Sequence, residues 1–403
     1  MCLNWGCIPT KSLLKSAQVY DYVKHVKDYG ISVEGVSADF NGIVARSRGV
    51  AEKMSGGIQY LFKKNKIDII KGFGKLKAKS VVTVTDADGK AQDVETKHII
   101  LATGARSREL PNLPQDGEKV IGYREALTLK KKPESMLVVG SGAIGVEFAY
   151  FYASMGTKVT IVEYLPNIIP LEDEVESVDT SGNLVKAQVK NKKGEMETHE
   201  AEVVLSAVGV TPNTENLGLE ELGIAMEKGR IKVDDKYQTN VEGIYAIGDV
   251  IDTVALAHVA SAEGICCVET ISGHNPEKID YTNIPGCIYT TPEVASVGMK
   301  EKEAKEAGYE IKVGKFPFSA SGKASASGAN DGFVKLIFDA KYGELLGAHL
   351  VGANVTEMIA ELVLAKKLET TGHEIIKAIH PHPTMSEAVM EAAAAAYDEV
   401  IHI

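Results

Sequence analysis

The sequence predicts an α/β fold followed by a separate α+β domain at the C-terminus. An apolar strand, a glycine-rich turn, a helix and a second strand follow one another within residues 136–163, which is typical of a parallel α/β unit. From about residue 283 onward the pattern changes to short strands followed by two helices. We find no internal repeat with a period of roughly 20 to 50 residues, which argues against a repeat architecture.

The individual elements follow this plan along the chain. Near the N-terminus, helices are predicted in TKSLLKSAQVYDYVKHV and FNGIVARSRGVAEKMSGGIQYLFKKN. Strands are predicted in IDIIKGFGKL, VVTVTDADG, KHIILATG, AEVVLSAVG and GIYAIGDV. In the C-terminal part we expect strands in GFVKLIFD and LLGAHLVG, then helices in TEMIAELVLAKKLE and MSEAVMEAAAAAYDEV.

Composition excludes several classes of function. The chain has 403 residues, of which 44% are hydrophobic and 25% charged, as in ordinary globular proteins. Its net charge of -11 argues against a nucleic-acid partner, because phosphate binding needs a basic face. No apolar run reaches the roughly 18 residues that a membrane-spanning helix needs, and the first residues resemble neither a signal nor a transit peptide. We therefore expect a cytoplasmic location, or the mitochondrial matrix if a transit peptide has been removed.

A glycine fingerprint indicates a dinucleotide site. Gly140, Gly142 and Gly145 form G-x-G-x-x-G between a valine-rich strand and an amphipathic helix. The three glycines allow a tight turn, the approach of a pyrophosphate and close packing of helix on strand. The helix N-terminus favours the negative phosphates. Glu163 ends the next strand, where an acidic side chain binds a ribose 2′-hydroxyl and repels a 2′-phosphate, so we expect NAD rather than NADP.

Two of the five cysteines, Cys2 and Cys7, lie five residues apart before a helix. On a regular helix their α-carbons would be more than about 8 Å apart, beyond the limit for a disulfide. If they bridge, the backbone between them must be irregular, and Gly6 gives that freedom. Pro9 suits the first turn of the helix, which would place Cys7 near a helix N-terminus, where thiolates are favoured. A redox pair and two unrelated small apolar residues both remain open, and a metal site is less favoured because no second ligand pair lies nearby.

The segment HPHPTMSEAVMEAA contains a candidate acid–base pair. His382 precedes a proline, and Glu387 follows five residues later in a helix that begins near Ser386. A histidine oriented by a carboxylate titrates near neutral pH and suits general acid–base catalysis. His380 is a rival for this role, and an exposed loop histidine without function is the alternative.

Two strand ends and one helix complete the candidates. Thr103 and Asp249 follow the strands in HIILATGA and GIYAIGDV, at the type of edge where α/β sheets bind ligands. Asp249 could bind a polyol, but a helix N-cap would look the same. Cys266 and Cys267 lie in an apolar helix, where we interpret them as buried core thiols.

Taken together, four motifs carry a family resemblance. CLNWGCIPTKSLL, GSGAIGVEF, YAIGDV and HPHPTMSEA resemble, in the same order, motifs of the flavoprotein disulfide reductases. Within that family they are most similar to the dihydrolipoamide dehydrogenases, the flavoenzymes of 2-oxo acid dehydrogenase complexes. The resemblance covers essentially the whole chain. It implies two Rossmann-like dinucleotide-binding domains, for FAD and NAD, and a C-terminal α+β dimerisation domain.

The resemblance also implies domain boundaries and site residues. The FAD domain would span 1–113 and return at 235–282, with the NAD domain at 114–234 and the dimerisation domain at 283–403. Cys2 matches the interchange thiol and Cys7 the charge-transfer thiol beside the flavin, while Lys11 pairs with Glu147 near the flavin ring. The residues that match FAD contacts are Gly74, Thr103, Gly104, Ala105, Asp249, Ala255, Leu256, Ala257 and His258. Those that match the NAD site are Gly140, Ser141, Gly142, Ala143, Ile144, Gly145, Val146, Glu147, Glu163 and Gly209.

The remaining implications of the resemblance concern proton transfer and the partners. His382 and Glu387 match the acid–base pair that, in this family, serves the partner subunit's active site, which implies a homodimer. The implied substrate is dihydrolipoamide carried on a lipoyl domain of a 2-oxo acid dehydrogenase complex, and no metal is implied. Since a dithiol cannot pass hydride to NAD directly, a flavin is the expected carrier of electrons between them.

Two segments depart from the family pattern. Family members carry a second glycine fingerprint for the FAD pyrophosphate before the cysteine motif, where this sequence has only Met1. After Glu163 the family has a further helix and parallel strand, whereas this sequence runs into what we predict to be a strand pair. We therefore expect a polypeptide of these residues alone to bind flavin weakly.

Three alternatives remain from the sequence. A glutathione reductase should prefer NADPH, which Glu163 disfavours. A mercuric reductase should end in a cysteine pair, whereas this chain ends in DEVIHI. The third is a non-catalytic remnant that dimerises through residues from about 283 onward.

Overall fold

The computed structural model describes residues 2–163, 174–190 and 195–403. The chain forms two units, Met1–Ile279 and Asp280–Ile403. The subdivision of the first unit into FAD and NAD domains at the boundaries given above stays a prediction.

The first unit contains the predicted N-terminal helices and the glycine-fingerprint helix. Its helices are α1 (Cys2–Trp5), α2 (Cys7–Lys24), α3 (Phe40–Lys64), α4 (Tyr123–Ala126), α5 (Ala143–Ser154) and α6 (Ala257–Ile271). Its strands are β1 (Phe73–Ala78), β2 (Val81–Thr85), β3 (Ala91–Glu95), β4 (Ile99–Leu101), β5 (Ala105–Ser107), β6 (Val120–Ile121), β7 (Ser135–Val139), β8 (Lys158–Val162), β9 (Glu174–Asp179), β10 (Val185–Lys190), β11 (Met196–Ala201), β12 (Val203–Ser206), β13 (Val210–Pro212), β14 (Met226–Glu227), β15 (Arg230–Ile231) and β16 (Ile244–Ala246).

A four-stranded parallel sheet holds the glycine fingerprint. Its strand order is β6-β12-β7-β8, and α5 connects β7 to β8. All but the first residue of β7 and all of β12 are buried, which explains their continuous apolar sequences. Among the described residues β8 is the outer strand, and β9, β10 and β11 form a separate antiparallel sheet. The strand pair predicted after Glu163 is therefore present, while 164–173 lie outside the described residues.

The second ligand edge predicted from the sequence is a parallel pair. β16 pairs in parallel with β4, so the two strands end on the same side. Their residues pack with α6 in one apolar cluster that includes Ile99, Ile244 and Cys267. The remaining sheets of this unit are β1-β2-β3, β13-β5 and β14-β15.

The strand predicted for the segment IDIIKGFGKL is wrong in its first half. The structure begins β1 at Phe73, and residues 67–71 have no strand conformation. Ile67, Ile69 and Ile70 are 54%, 51% and 45% exposed. A strand needs a neighbour for its backbone hydrogen bonds, and no strand in the described part of the chain pairs with this segment.

The second unit is the predicted α+β domain. Its strands are β17 (Gly286–Ile288), β18 (Glu293–Gly298), β19 (Ile311–Pro317), β20 (Phe333–Asp339) and β21 (Leu345–Gly352), and its helices are α7 (Glu301–Glu306), α8 (Gly322–Ser327), α9 (Val355–Lys367), α10 (Gly372–Lys377) and α11 (Glu387–Ala395). The strands form one antiparallel sheet in the order β17-β18-β21-β20-β19. A core that includes Phe316, Leu336 and Leu362 packs the sheet against α9 and α11.

In the part of the chain that the structure describes, none of the helices combines the length and apolar character that crossing a membrane requires.

Candidate active site

Cys2 and Cys7 form a disulfide. The helix is interrupted at Gly6, whose φ and ψ of -145° and -116° separate α1 from α2. This break brings the two α-carbons to 4.7 Å, well inside the distance that a regular helix would impose. α2 begins at Cys7, so its sulfur lies where the helix dipole stabilises a thiolate.

Side chains from other elements hold the redox segment. Arg48 of α3 donates to the Asn4 carbonyl at 2.5 Å, and Ser55 donates to the Asn4 side chain at 2.6 Å. The Arg48 guanidinium lies 4.2 Å from the Trp5 ring centroid, and that of Arg124 lies 5.6 Å from it. Such cation–π contacts fix the ring between the two cysteines. No local sequence pattern identifies Arg48 or Arg124 as partners of Trp5, because both are distant from it along the chain.

An ion pair connects the redox helix to the dinucleotide helix. Lys11 of α2 donates to both carboxylate oxygens of Glu147 of α5, at 3.0 and 2.9 Å. The Glu147 side chain is only 5% exposed and that of Lys11 33%. The contact that the family resemblance implied between these residues is therefore present, and it places a charged pair between the thiol and dinucleotide elements.

The glycine turn has the geometry of a phosphate site. Gly140 has φ of 101°, and a Cβ there would lie 2.5 Å from the Ala207 carbonyl oxygen. A Cβ at Gly145 would collide with the Gly140 carbonyl, while one at Gly142 would meet nothing within 4 Å. Gly142 thus borders open space at the N-terminus of α5, and the Glu163 carboxylate accepts the Ser141 N–H beside it. Ala143, Ile144 and Val146 form the first turn of α5 with Gly145 and Glu147, and Gly209 follows the loop that contacts Gly140.

The strand ends of β4 and β16 form a second polar edge. Thr103 donates its hydroxyl to the Asn213 carbonyl at 2.7 Å, and the Asn213 side chain donates back to the Thr103 carbonyl at 3.0 Å. Gly104 turns the chain with φ of 70° before Ala105 begins β5. Asp249 lies in the 3-10 turn Gly248–Val250 and is not a helix N-cap. Burial raises the pKa of the Asp249 carboxyl, and the Arg230 charge partly opposes this shift.

A buried glutamate supports the Asp249 turn. Glu263 of α6 is fully buried and accepts the Gly248 N–H at 2.7 Å. The sequence signal for it is an acidic residue between the small and apolar residues Ala262 and Gly264 of α6, a position that did not figure among the predicted site residues. Through this bond α6 fixes the turn that directs Asp249.

The other predicted flavin contacts divide into two groups. Ala255 and Leu256 precede α6, and Ala257 and His258 form its first residues, so they surround a helix N-terminus that follows the Asp249 turn. Ala255, Ala257 and His258 are exposed. Gly74 lies in β1, paired with Val84, and no described contact brings it to the Asp249 turn. Its place in a cofactor site stays a prediction.

His382 and Glu387 form a hydrogen-bonded pair in the second unit. His382 Nδ1 lies 2.8 Å from Glu387 Oε1, and Glu387 Oε2 accepts the Thr384 N–H at 2.7 Å. Burial alone would raise the Glu387 pKa, but the hydrogen bonds from Thr384 and His382 hold the pKa below its ordinary value. An ionised Glu387 fixes the His382 Nδ1–H tautomer. The ring is 79% exposed, and Nε2 has no hydrogen-bond partner among the described residues.

His380 has different surroundings. Its Nε2 lies 2.8 Å from Glu361 Oε1 of α9, and its Nδ1 lies 2.9 Å from the Ala378 carbonyl. Its side chain is only 6% exposed. With both nitrogens bonded and the ring buried, His380 cannot reach a substrate, so the geometry favours His382 as the acid–base group.

Two models of one protein family match most of this chain. The family model described as pyridine nucleotide-disulphide oxidoreductase matches residues 1–264, and the dimerisation domain of the same family matches residues 284–393. This chain belongs to that family. It is an oxidoreductase, and the cofactors of this family of flavoprotein disulfide reductases are FAD and NAD.

Several curated relatives of this chain are named dihydrolipoyl dehydrogenase. The chain is 44% identical to dihydrolipoyl dehydrogenase of Zymomonas mobilis and 45% identical to that of Rhizobium etli, covering all of this chain and 91% and 92% of those proteins. It is 40% identical to mitochondrial dihydrolipoyl dehydrogenase 2 of Arabidopsis thaliana, again over its full length and over 84% of the relative.

Two solved structures have a fold similar to that of this chain. LpdA from Mycobacterium tuberculosis matches with a TM-score of 0.90 at 26% identity, over 97% of this chain and 90% of that one. The HOCl-induced flavoprotein disulfide reductase RclA from Escherichia coli matches with a TM-score of 0.84 at 26% identity, over 98% and 90%. The predicted α/β fold with a C-terminal dimerisation domain is thus confirmed.

The side chains and backbone groups described above are chemically suited to NAD and to part of FAD. The open space at Gly142 and the N-terminus of α5 suit a pyrophosphate, and Glu163 suits a ribose without a 2′-phosphate. Thr103, Asp249 and the exposed N-terminus of α6 have hydroxyl, carboxyl and amide groups of the kinds that fit the polar part of a flavin nucleotide. Among the described residues, no group of three or more His, Cys, Asp or Glu side chains is placed to hold a metal ion.

Proposed function

We propose that this chain oxidises dihydrolipoamide to lipoamide and passes the electrons to NAD, as the dehydrogenase component of 2-oxo acid dehydrogenase complexes. The observation that carries the proposal is the Cys2–Cys7 disulfide, which closes across the Gly6 break at the N-terminus of α2. The Lys11–Glu147 ion pair connects this helix to the dinucleotide-binding helix α5. The names of the full-length relatives support the same activity.

The proton chemistry follows from the His382–Glu387 pair. Glu387 accepts the Nδ1–H, which leaves the Nε2 lone pair free to take the proton of a substrate thiol. In our proposal this pair acts on the redox cysteines of the partner subunit, so that the active enzyme is a homodimer. The dimerisation domain in residues 284–393 supports this arrangement.

Thiol–disulfide exchange then needs only the two cysteines. The substrate thiolate attacks Cys2 Sγ, the Cys2–Cys7 bond breaks, and Cys7 leaves as a thiolate at the N-terminus of α2. The second substrate thiol, deprotonated in turn, attacks the mixed disulfide, which releases lipoamide and leaves two reduced cysteines. When bound, FAD supplies the two-electron carrier that links this dithiol to NAD.

The partners and the compartment complete the proposal. We propose that the dithiol is presented on a lipoyl domain of a 2-oxo acid dehydrogenase complex, because every relative compared above in sequence has the dihydrolipoyl dehydrogenase name. A cytoplasmic location is proposed, with the mitochondrial matrix as the alternative, since the relatives include bacterial proteins and a plant mitochondrial one.

The test is a comparison of electron donors and acceptors with the full chain, at measured flavin content. We expect NAD reduction by dihydrolipoamide, little activity with NADP, and no NADPH-dependent reduction of glutathione disulfide or mercuric ion.

H382Q should lower dihydrolipoamide oxidation by about 10²- to 10⁴-fold, the usual value of a general base. C2S should abolish it, while both variants retain NADH-driven reduction of ferricyanide, which needs no thiol exchange. Equal loss of both activities in H382Q, or NADPH-dependent reduction of glutathione disulfide or mercuric ion by the wild type, would contradict the proposal.

A further inference from the structure

We infer that His380 is a protonated positioning residue, which Glu361 holds in place so that the loop between α10 and α11 presents His382. This inference rests on the proposed function, because it assigns His382 as the acid–base group. It gives the two histidines of the HPHP segment separate roles.

The hydrogen-bond partners of His380 favour its protonated form. Both His380 nitrogens face acceptors, the Glu361 carboxylate at 2.8 Å and the Ala378 carbonyl at 2.9 Å. A carbonyl cannot donate, and Glu361, whose side chain is 41% exposed, directs a carboxylate oxygen at the ring. Two such acceptors are satisfied only when both ring nitrogens carry protons. The hydrogen bond to Glu361 raises the His380 pKa, and burial opposes this only in part.

The loop between α10 and α11 is held in place at both ends. Ala378 directly follows α10, and Glu361 lies in α9, so one ring ties the loop to two helices. The His380 side chain is 6% exposed, whereas His382, two residues later, is 79% exposed. Met385, 6% exposed, anchors the other end of the loop in the core. Between these two anchors the loop directs His382 outward.

The His380 charge also acts electrostatically on the neighbouring acid–base pair. The charged groups described around His380 are Glu361 of α9 and Glu387 of α11, and the His380 charge contributes to lowering the Glu387 pKa. A fixed cation at this place disfavours a second positive charge on His382. A proton added to the His382 ring would therefore be repelled by the His380 charge.

The first experiment needs no turnover. With ¹³C-labelled histidine and the H380Q variant for assignment, the imidazole NMR signals of the full chain are followed from pH 5 to 9. We expect His380 in the wild type to stay protonated at a pH where an ordinary histidine has lost its proton. In E361Q the acid dissociation constant of His380 should be at least tenfold larger. A His380 signal that titrates like a free histidine in the wild type, or is unchanged in E361Q, would overturn the inference.

The second experiment uses the flavin-loaded enzyme. E361Q and H380Q should each lower kcat for dihydrolipoamide about 5- to 20-fold and move the acid limb of its pH profile to higher pH, because removal of the cation favours protonated His382. The NADH–ferricyanide activity should be unchanged. H402Q is the matched control, since His402 pairs with Glu391 in the same unit but lies outside the loop, and it should change neither property. Unshifted acid limbs in both variants would show that His380 has only a structural role.

A protein without dihydrolipoamide activity would fail the second experiment but leave the NMR titration informative. Failure of the proposed function and failure of this inference are therefore distinguishable.

Discussion

At the scale of single residues, the Lys11–Glu147 ion pair joins the helix of the redox cysteines to the helix of the glycine turn. The two partners differ in exposure, with Glu147 5% and Lys11 33% exposed. Removal of either partner leaves the other without its counter-charge, and the loss is larger when the remaining charge is more deeply buried. This asymmetry decides which substitution is more harmful.

We expect K11M to destabilise the chain by about 3 kcal/mol, because it removes the Lys11 counter-charge from the buried Glu147 carboxylate. E147Q should cost only about 1 kcal/mol, since the amide oxygen still accepts a hydrogen bond and the Lys11 ammonium reaches water. Urea unfolding at matched flavin content measures both. K15M, on an exposed lysine of the same helix that bonds Gln18, is the control and should change stability by less than about 0.5 kcal/mol. A larger loss in E147Q than in K11M would contradict the explanation.

Individual residues also show what the sequence could and could not predict. Cys2, Cys7 and Gly6 lie within one short segment, so local geometry was enough to predict that a bridge needs a break at Gly6. The contacts of Trp5 with Arg48 and Arg124 join residues up to 119 positions apart, and no local pattern identifies such partners. The choice between His380 and His382 likewise depended on Glu361, which lies on another helix.

At the scale of elements, the turn between β7 and α5 uses each glycine for a different steric reason. Gly145 lies against the Gly140 carbonyl, where any Cβ must displace the backbone, whereas Gly142 borders open space. Gly145 is required for packing the helix on the strand, and we propose that Gly142 leaves room for the approach of a ligand.

Alanine at these two positions separates stability from binding. G145A should destabilise the chain by about 1–3 kcal/mol, the usual cost of overpacking. G142A should leave stability nearly unchanged, because its φ of -63° suits alanine, yet weaken NAD binding about tenfold or more by obstructing the pyrophosphate. Calorimetric titration with NAD and thermal unfolding of both variants provide the test. Unchanged NAD affinity in G142A would argue against a phosphate site at this turn.

Helix α6 offers a second test at this scale. Cys267 is fully buried, and burial raises its pKa to about 11, so roughly one thiol in a thousand is ionised at pH 8. In the reduced protein we expect iodoacetamide at pH 8 to alkylate Cys2 and Cys7 and to leave Cys266 and Cys267 unmodified. Peptide mass spectrometry reads out each site, and labelling in urea is the control. Rapid labelling of Cys267 in the folded protein would show that α6 is not packed as described.

Elements also show why one strand prediction was wrong. Residues 67–71, with the sequence IDIIK, are rich in β-branched apolar side chains, and the short strands β4 and β16 are likewise apolar. The latter two pair with each other, whereas 67–71 have no partner strand among the described residues. Periodicity predicts which residues can form a strand, but the presence of a neighbour decides whether they do.

At the scale of the whole molecule, the chain has two units with different tasks. The glycine turn and the redox cysteines belong to Met1–Ile279, and the family's dimerisation domain lies within Asp280–Ile403. Each unit has an apolar core of its own, the first around β4, β16 and α6 and around β7 and β12, the second around its antiparallel sheet. The change near residue 283 to short strands followed by two helices was the sequence feature from which we predicted a separate C-terminal domain.

We therefore expect two unfolding transitions that respond to different variables. In our proposal NAD binds at the glycine turn of the first unit, so a concentration 100 times its Kd should stabilise that transition by about 2.7 kcal/mol and leave the other unchanged. The second transition should move to higher temperature as protein concentration rises, since dissociation of a dimer accompanies unfolding of its dimerisation domain. Scanning calorimetry at two protein concentrations, with and without NAD, measures both effects, and G145A identifies the transition of the first unit by lowering it alone. A single transition that NAD and protein concentration shift together would show that the two units unfold as one cooperative structure.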